Sequence, residues 1–407
     1  GRKYRMETWG HVAERVSFLV GQVPVGLIPT SGTSEDIFRA IRDGVNSVLE
    51  PGVGVLRPVS KKDFEKNLPV STRDAAAILA SSLREAGEDA HVALISGNSG
   101  PPLLDGFPGL YPFVRAVVAV DVHKRLAKEG SCDGAPAQRS VLCSTAAHGY
   151  TFVDPSCKTC RFGELPTELS GGRALILSSV TPEWVDVPVD PPERNFSVLE
   201  TNFRAGLDGR LTGTARLAVG GEPSRSVKEV LRHEKGSKTS NGKLKQELQL
   251  IVGAWNSRAF FDVEFGERGD ADILRIESRL ESKLKQLAYD RFEVRAQNLT
   301  GLAFPWKWRQ LRHSPRVLEA PLWRQASSAL RVPPGFMIEQ GTPVEIKNRF
   351  GEFSASWKVE GDTLRYWRSL ILRRQVVLPH DWRDFTHFLE AIRESESRPI
   401  KIVRVVD

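Results

Sequence analysis

The chain has 407 residues, of which 40% are hydrophobic and 26% are charged, and its formal net charge is +7. This length predicts two or three domains, each large enough to bury a core, and no apolar run is long enough to form a membrane-spanning helix. The basic residues are spread out, and even the densest segment, 225–245, is typical of a solvated helix face, so we expect no nucleic-acid partner.

Helical and strand patterns both occur in the first 180 residues. Apolar residues recur with helical spacing at 8–20, 34–49 and 72–86. Strand patterns follow at 90–96, 114–120, 150–153 and 174–177. We therefore predict an α+β domain over residues 1–180, with helices packed on one face of an antiparallel sheet.

The helix predicted to begin at Thr72 is the most informative of these elements. Ser71 or Thr72 can cap it, Asp74 lies in its first turn, and Gly87 is a suitable C-terminal stop. We expect its apolar face to consist of Ile78, Leu79, Leu83 and Ala86. The N–H groups and dipole of such a helix start would favour the reactive thiolate of a cysteine, but this chain has a threonine there.

Several motifs before residue 177 follow the order found in one known family. They are Trp9-Gly-His-Val-Ala-Glu, Glu35-Asp-Ile-Phe, Gly54-Val-Leu-Arg-Pro, Ser71-Thr-Arg-Asp-Ala-Ala and Val153-Asp-Pro-Ser. Together they make this region resemble the transglutaminase-like domain of bacterial multi-domain exported proteins, within the papain-like cysteine protease superfamily. The resemblance implies a Cys-His-Asp triad, whose positions correspond to Thr72, Arg115 and Asp154 in this chain.

Two of these three positions lack the residue that the family's chemistry needs. Arginine stays protonated and cannot act as a base, and a threonine hydroxyl without a base is a poor nucleophile. We therefore expect no catalysis at Thr72, Arg115 and Asp154, no cofactor, and an Arg115–Asp154 ion pair that joins two strands. The alternative is an active hydrolase or acyltransferase that uses Thr72 with His148, or a metal.

The resemblance also implies a role and a location. We expect a non-catalytic binding or scaffolding protein of the bacterial cell envelope, either periplasmic or at the cell surface. Its former substrate groove and its β-domains would bind an envelope protein or a peptide segment. The family's usual architecture leads us to expect a fragment or a processed form, with any membrane anchor in a segment before Gly1.

All four cysteines lie within residues 132–160, at Cys132, Cys143, Cys157 and Cys160. Two disulfides would suit an exported protein, and this is the interpretation we favour. A structural zinc site on the four cysteines is the alternative, although their spacing is less regular than that of two Cys-x-x-Cys pairs.

The second half of the chain is rich in strand patterns. A proline-rich linker is predicted at 181–192, followed by a β-rich domain at 193–330 with a helical insertion. Further strands and a final helix at 382–394 are predicted in residues 331–407, and we expect this segment to complete the β-sandwich. The Val332-Pro-Pro-Gly-Phe segment resembles the start of the family's terminal β-domain. We thus expect one or two sandwich domains with short helices in this half.

Aromatic and basic residues alternate around Trp306, Trp308 and Arg309. This segment is a candidate glycan-binding surface, because tryptophan rings can stack on sugars, and a glycan-binding adhesin is thus a further alternative function. The structural interpretation is a strand with inward-packed tryptophans, and it extends to Trp323 and Arg324.

Overall fold

The computed structural model describes residues 7–28, 32–48, 57–97, 108–121, 149–177, 183–233, 243–244, 246–248, 251, 261–266, 273–301, 313–318, 321–373 and 375–405. The chain divides into two compact units, Gly1–Val189 and Asp190–Asp407. In the part of the chain described, no helix is long and apolar enough to cross a membrane.

The described part of the first unit has helices and one five-stranded sheet. Its helices are α1 (Trp9–Val20), α2 (Ser34–Gly44), α3 (Lys61–Glu65) and α4 (Thr72–Glu85). Two short strands, β1 (Ser47–Val48) and β2 (Val70–Ser71), form a parallel pair. The sheet strands are β3 (Ala90–Ser96), β4 (Phe113–Asp121), β5 (Tyr150–Val153), β6 (Arg173–Ile176) and β7 (Glu183–Asp186).

The sheet is antiparallel throughout, in the order β5-β4-β3-β6-β7. One face packs with α1, α2 and α4 in a single hydrophobic cluster. Leu165 and Leu169, from the loop after β5, help cover the other face. The predicted α+β class with helices on one face of an antiparallel sheet is confirmed.

The end of the first unit differs from the sequence-based prediction. Residues 183–186, which fall within the predicted linker, form the edge strand β7. Trp184 on this strand packs edge-on against Trp9 with ring centroids 5.3 Å apart, and its ring stacks against Phe113 at 6.0 Å. These aromatic contacts hold the strand on the sheet, and the first unit therefore extends to Val189.

The second unit consists mainly of strands. Its strands are β8 (Phe196–Ala205), β9 (Arg210–Val219), β10 (Phe261–Gly266), β11 (Leu274–Lys283), β12 (Lys285–Ala288), β13 (Arg291–Val294), β14 (Arg316–Leu318), β15 (Leu322–Arg331), β16 (Phe336–Ile338), β17 (Val344–Lys347), β18 (Gly351–Glu360), β19 (Thr363–Leu372), β20 (Gln375–Val377) and β21 (Ile400–Arg404). Its helices with defined bounds are α5 (Glu222–His233), α6 (Ala296–Thr300) and α7 (Trp382–Ser397).

An eight-stranded sheet in the order β10-β11-β9-β8-β15-β19-β18-β17 organises this unit. Only the β8–β15 pair is parallel. Buried and exposed residues alternate along β8, β11 and β19, so one face of the sheet is buried and the other faces solvent. The buried face shares one core with the four-stranded sheet β12-β13-β21-β16 and with α7.

The large sheet spans residue 330, where the two predicted segments of this half meet. Strands β8, β9 and β11 precede that boundary, whereas β17, β18 and β19 follow it, and β15 lies between the two groups in the sheet. The segments 193–330 and 331–407 therefore form a single unit around a common core.

A buried charge pair fastens α7 to the large sheet. The guanidinium of Arg368 on β19 donates hydrogen bonds to the Glu396 carboxylate of α7 and to the Gly301 carbonyl, the latter at 2.9 Å. Both side chains are almost completely buried. Burial raises the pKa of the neighbouring Tyr366 hydroxyl far above its usual value, which keeps it protonated.

Candidate functional site

The N-terminus of α4 has the local structure that the sequence predicts. Ser71 has an extended backbone, and its Oγ accepts a hydrogen bond from the Asp74 backbone N–H at 3.1 Å. At the other end, Gly87 has φ +86°, and the Glu88 N–H donates to the Leu83 carbonyl at 2.9 Å. The cap, the helix and the glycine stop are therefore confirmed, with Ser71 as the capping residue.

The burial of α4 is more extensive than a single apolar face. Every residue from Thr72 to Leu83 is buried, because the helix contacts α1, α2, β3 and β4. Alanines at positions 75, 76, 77 and 80 allow this close packing on several sides. The prediction that Ala86 belongs to the apolar face is wrong, since Ala86 lies at the exposed end of the helix.

A buried ion pair lies directly after the Thr72 position. The Arg73 Nε and Nη2 atoms are 2.9 and 2.8 Å from the Asp74 Oδ1 atom, and both side chains are buried. The other oxygen, Asp74 Oδ2, accepts a hydrogen bond from the Val59 backbone N–H at 2.9 Å. Burial raises the pKa of Asp74, and the charge of Arg73 opposes this shift. Sequence reasoning missed this pair, because an Arg-Asp step in a helix usually faces solvent.

Thr72 lies against β4 and is only 1% exposed. Its Oγ1 atom is 3.5 Å from the backbone nitrogen of Ala116, which donates a long hydrogen bond to it. Ala116 is the neighbour of Arg115 on β4, so the predicted site residues Thr72 and Arg115 belong to elements that are in contact.

Arg115 is held between two carboxylates. Its Nη1 atom donates to Asp154 Oδ2 at 2.8 Å, and its Nη2 atom donates to Glu168 Oε1 at 3.0 Å. The side chain of Asp154 is fully buried, whereas that of Glu168 is 46% exposed. The predicted Arg115–Asp154 ion pair is confirmed. Glu168 was missed, since nothing in the local sequence relates this loop residue to Arg115.

Both oxygens of Asp154 are engaged. Oδ2 faces Arg115, and Oδ1 accepts hydrogen bonds from the Ser156 backbone N–H at 2.8 Å and the Ser156 hydroxyl at 2.6 Å. These contacts fix Asp154, which follows β5, against Arg115 on β4.

The turn after Asp154 is closed by a disulfide between Cys157 and Cys160. The Lys158 ammonium donates to the backbone carbonyls of Arg42 and Val45 at the end of α2, and the Val45 carbonyl also accepts from the Ser47 N–H. In return, Arg42 Nη1 donates to the Cys160 carbonyl at 2.8 Å. This turn thus connects the Asp154 region to α2.

The disulfide also bears on the zinc alternative. A zinc site on all four cysteines requires four thiolates, and the sulfurs of Cys157 and Cys160 are bonded to each other. That alternative is therefore wrong for this pair. Among the described residues, no group of three His, Cys, Asp or Glu side chains has an arrangement that could hold a metal ion.

Several candidates from the sequence lie outside the described residues. They are Cys132, Cys143, His148, Trp306, Trp308 and Arg309. Trp323, from the same aromatic and basic set, lies on β15, where its Nε1 donates to Ser369 Oγ at 3.0 Å and its ring packs against Phe196. The predicted strand is thus confirmed, but the predicted inward packing of the tryptophan is wrong for Trp323, which lies on the same outward face of β15 as Ser327, whereas Arg324 lies on the buried face. Burial lowers the pKa of the adjacent Arg324 to about 10.

The geometry defines an α+β protein with a β-rich second unit and with a buried Arg115–Asp154 ion pair in the first unit. Residues 303–402 match a domain of unknown function with a solved structure, DUF3858. A crystal structure of a putative protease from Parabacteroides distasonis is similar, with a TM-score of 0.48 and 12% identity. The similarity covers 98% of this chain but only 57% of that protein's chain. No curated protein matches the sequence.

Proposed function

We propose that this chain is a non-catalytic transglutaminase-like protein that binds or scaffolds partners in a bacterial cell envelope. The observation that carries this proposal is the pairing of Arg115 with Asp154 and Glu168 beside the buried hydroxyl of Thr72. A permanently protonated side chain occupies the place of the base, and two carboxylates neutralise it.

The surroundings of Thr72 support the absence of nucleophilic catalysis. Its hydroxyl accepts from the backbone N–H of Ala116, and only 1% of the residue is exposed to solvent. A nucleophile needs both a base within hydrogen-bond reach and access to a substrate. Among the residues that the structure describes, no base makes a hydrogen bond with Thr72, and its low exposure limits access to a substrate.

Two further observations support the family and the location. Transglutaminase-like family members carry DUF3858, and residues 303–402 match this domain. The Cys157–Cys160 disulfide is of the kind that persists in oxidising compartments such as the periplasm or the cell surface.

The partner in this proposal is an envelope protein or a peptide segment that contacts the first unit near Glu168. The side chain of Glu168 is 46% exposed, so this residue marks the place where the buried pair reaches the surface. The Glu168 carboxylate can make a charged contact with a partner, and this contact involves no covalent chemistry.

An activity panel tests the non-catalytic part. The purified wild-type protein and the Thr72→Ala variant are assayed for ammonia release from glutamine peptides and for peptide and ester hydrolysis, with and without a chelator. We expect both proteins to remain at the background rate. Activity in the wild type that is lost in Thr72→Ala would overturn the proposal.

Cross-linking in cells tests the binding part. A photoreactive residue is introduced at Glu168 and, as a matched control, at Tyr289, which is 84% exposed and lies in the second unit. Mass spectrometry should identify a discrete envelope protein joined at the Glu168 position and absent at the Tyr289 position. The same set of products from both positions, or none from either, would contradict a specific binding surface near Glu168.

A further inference from the structure

A groove crosses the solvent-exposed face of the eight-stranded sheet in the second unit. It has a volume of about 410 Å³ and is open to solvent along β8, β15, β18 and β19. Its lining includes Glu200, Asn202, Ser327, Ala329, Ser356 and Trp367. This surface is separate in sequence from the Trp306 and Trp308 segment, and it lies in a different unit from the Arg115 site.

The register of the sheet explains why the groove exists. On β15, Ser327 lies directly opposite Trp367 of β19 on one side and opposite Glu200 of β8 on the other. Ser356 of β18 is opposite Trp367 on its remaining side. Because both cross-strand neighbours of the indole are serines, no large side chain covers its two edges.

Trp367 differs from the other tryptophans in the described part of the chain. It is 38% exposed, whereas the side chains of Trp9, Trp184 and Trp323 are occupied by ring contacts or hydrogen bonds. Among the described residues, the Trp367 ring has no aromatic or cation–π partner, and its N–H has no acceptor. An aromatic face and a hydrogen-bond donor are therefore both available to a ligand.

The charges around the groove are balanced. Lys358 Nζ and Arg365 Nε both contact the carboxylate of Glu360, at 2.7 and 2.6 Å. Glu200 is exposed and has no ion-pair partner among the described residues. Lys358, Arg365 and Glu200 line the groove, and with Glu360 these groups sum to no net charge. Because Glu360 already binds both lining cations, a phosphate-bearing ligand would find no unpaired cation among the described residues of the lining.

We propose that this groove binds a neutral carbohydrate chain. Sugar rings present a face of C–H groups that packs on an indole, while their hydroxyls both donate and accept hydrogen bonds. Trp367 provides the stacking platform, Glu200 accepts from hydroxyls, and Asn202 both accepts and donates. A neutral, hydroxyl-rich ligand is the chemistry that fits an aromatic ring flanked by balanced charges.

The test measures binding of the full chain to soluble neutral oligosaccharides. Hexasaccharides of glucose, mannose, xylose and N-acetylglucosamine are titrated calorimetrically, with a heparin hexasaccharide and oligo(dT) as anionic probes. We expect at least one neutral hexasaccharide to bind, with little dependence on salt. Preferential, salt-sensitive binding of an anionic probe, or no binding of any neutral probe, would overturn the proposal.

Variants locate the binding to the groove. Trp367→Ala should weaken binding by about tenfold or more, as expected for an aromatic anchor that the bound ligand covers, and Trp367→Tyr should restore most of it. Ser327→Ile keeps the ring but fills the space beside it, and it should also weaken binding. Arg216→Ala, on the same sheet face beyond Glu200, is the control that should bind normally. Undiminished binding by both folded Trp367→Ala and Ser327→Ile would place the ligand elsewhere.

Discussion

The site around Arg115 in the first unit and the groove beside Trp367 in the second unit both lie on β-sheets, but their polar atoms are used differently. At the first site, Asp154 is fully buried and both of its oxygens accept hydrogen bonds from Arg115 and Ser156. In the groove, Glu200 and the N–H of Trp367 have no partner among the described residues. A carboxylate whose two oxygens are satisfied internally, as those of Asp154 are, stabilises the fold, whereas polar groups without a partner can bind a ligand.

The largest effect that would test this contrast is the removal of Asp154. Asp154→Ala leaves the guanidinium of Arg115 without its buried partner, so the free energy of unfolding of the first unit should fall by about 3–5 kcal/mol. Hydrogen exchange of the β3 and β4 amides, read by mass spectrometry, reports on this unit specifically.

Glu168→Ala is the matched control, because it removes the more exposed partner of the same guanidinium. It should cost no more than about 1 kcal/mol. An equal effect of the two substitutions would mean that the buried pair is not what fixes β5 against β4.

Parts of the fold and of the Arg115 site could be predicted from the sequence. Strands β3 and β5 have the predicted bounds, because each is a short run of apolar or β-branched residues between turn residues. The Arg115–Asp154 pair could be predicted from the order of the motifs. In the resemblance, Arg115 corresponds to the histidine and Asp154 to the aspartate, and both positions were expected on neighbouring strands. Glu168 and the buried Arg73–Asp74 pair depend on long-range packing and leave no local signal.

The groove beside Trp367 could not be predicted from the sequence, because strand β15 has a weak strand pattern. Strand β15 is central in the large sheet, yet its inward residues include Ser328 and its outward residues include Ser327 and Ala329. Small and polar residues give no clear period-2 hydrophobic pattern, so the segment was predicted as a strand only around Trp323. The residues that open the groove are thus those that weaken the strand signal. Residues 183–186 were predicted as part of a linker because prolines surround them, but they form β7, which aromatic packing stabilises.

The second prediction concerns the disulfide that follows Asp154. Replacing both cysteines, Cys157→Ser and Cys160→Ser together, opens a closed loop of four residues, and by chain entropy alone should cost about 2 kcal/mol. The contacts of Lys158 with the Arg42 and Val45 carbonyls should also loosen, and amide exchange at the end of α2 should increase.

Lys158→Met separates these two contributions, because it keeps the disulfide and removes the contacts with α2. It should increase exchange at the end of α2 while leaving that of β4 unchanged. If the double serine variant has the same exchange as the wild type throughout the first unit, the turn does not connect Asp154 to α2.

The third prediction tests whether the Thr72 hydroxyl is structural. Thr72→Val keeps the shape but removes the acceptor of the Ala116 N–H, and it should lower the free energy of unfolding by about 1 kcal/mol. Thr72→Ser retains the hydroxyl and should recover the difference in hydrogen exchange at Ala116. Identical exchange in the two variants would show that the 3.5 Å contact contributes nothing.

The smallest effect concerns Glu360, which keeps the charges beside the groove balanced. Hydrogen bonds from Lys358 and then from Arg365 hold its pKa below the usual value of 4.5. Since the folded-state pKa is the lower one, the pairing stabilises the protein above pH 4.5 and is lost as the pH falls through the folded-state pKa.

Glu360→Gln should therefore flatten the acid side of the stability profile of the second unit, measured by thermal unfolding between about pH 5 and pH 3. The same substitution leaves Lys358 and Arg365 without their carboxylate, so binding of a heparin hexasaccharide should increase and become sensitive to salt. Glu345→Gln, on β17 with no ion pair among the described residues, should change neither property. Should Glu360→Gln leave heparin binding unchanged, charge balance would not be what makes the groove selective for neutral ligands.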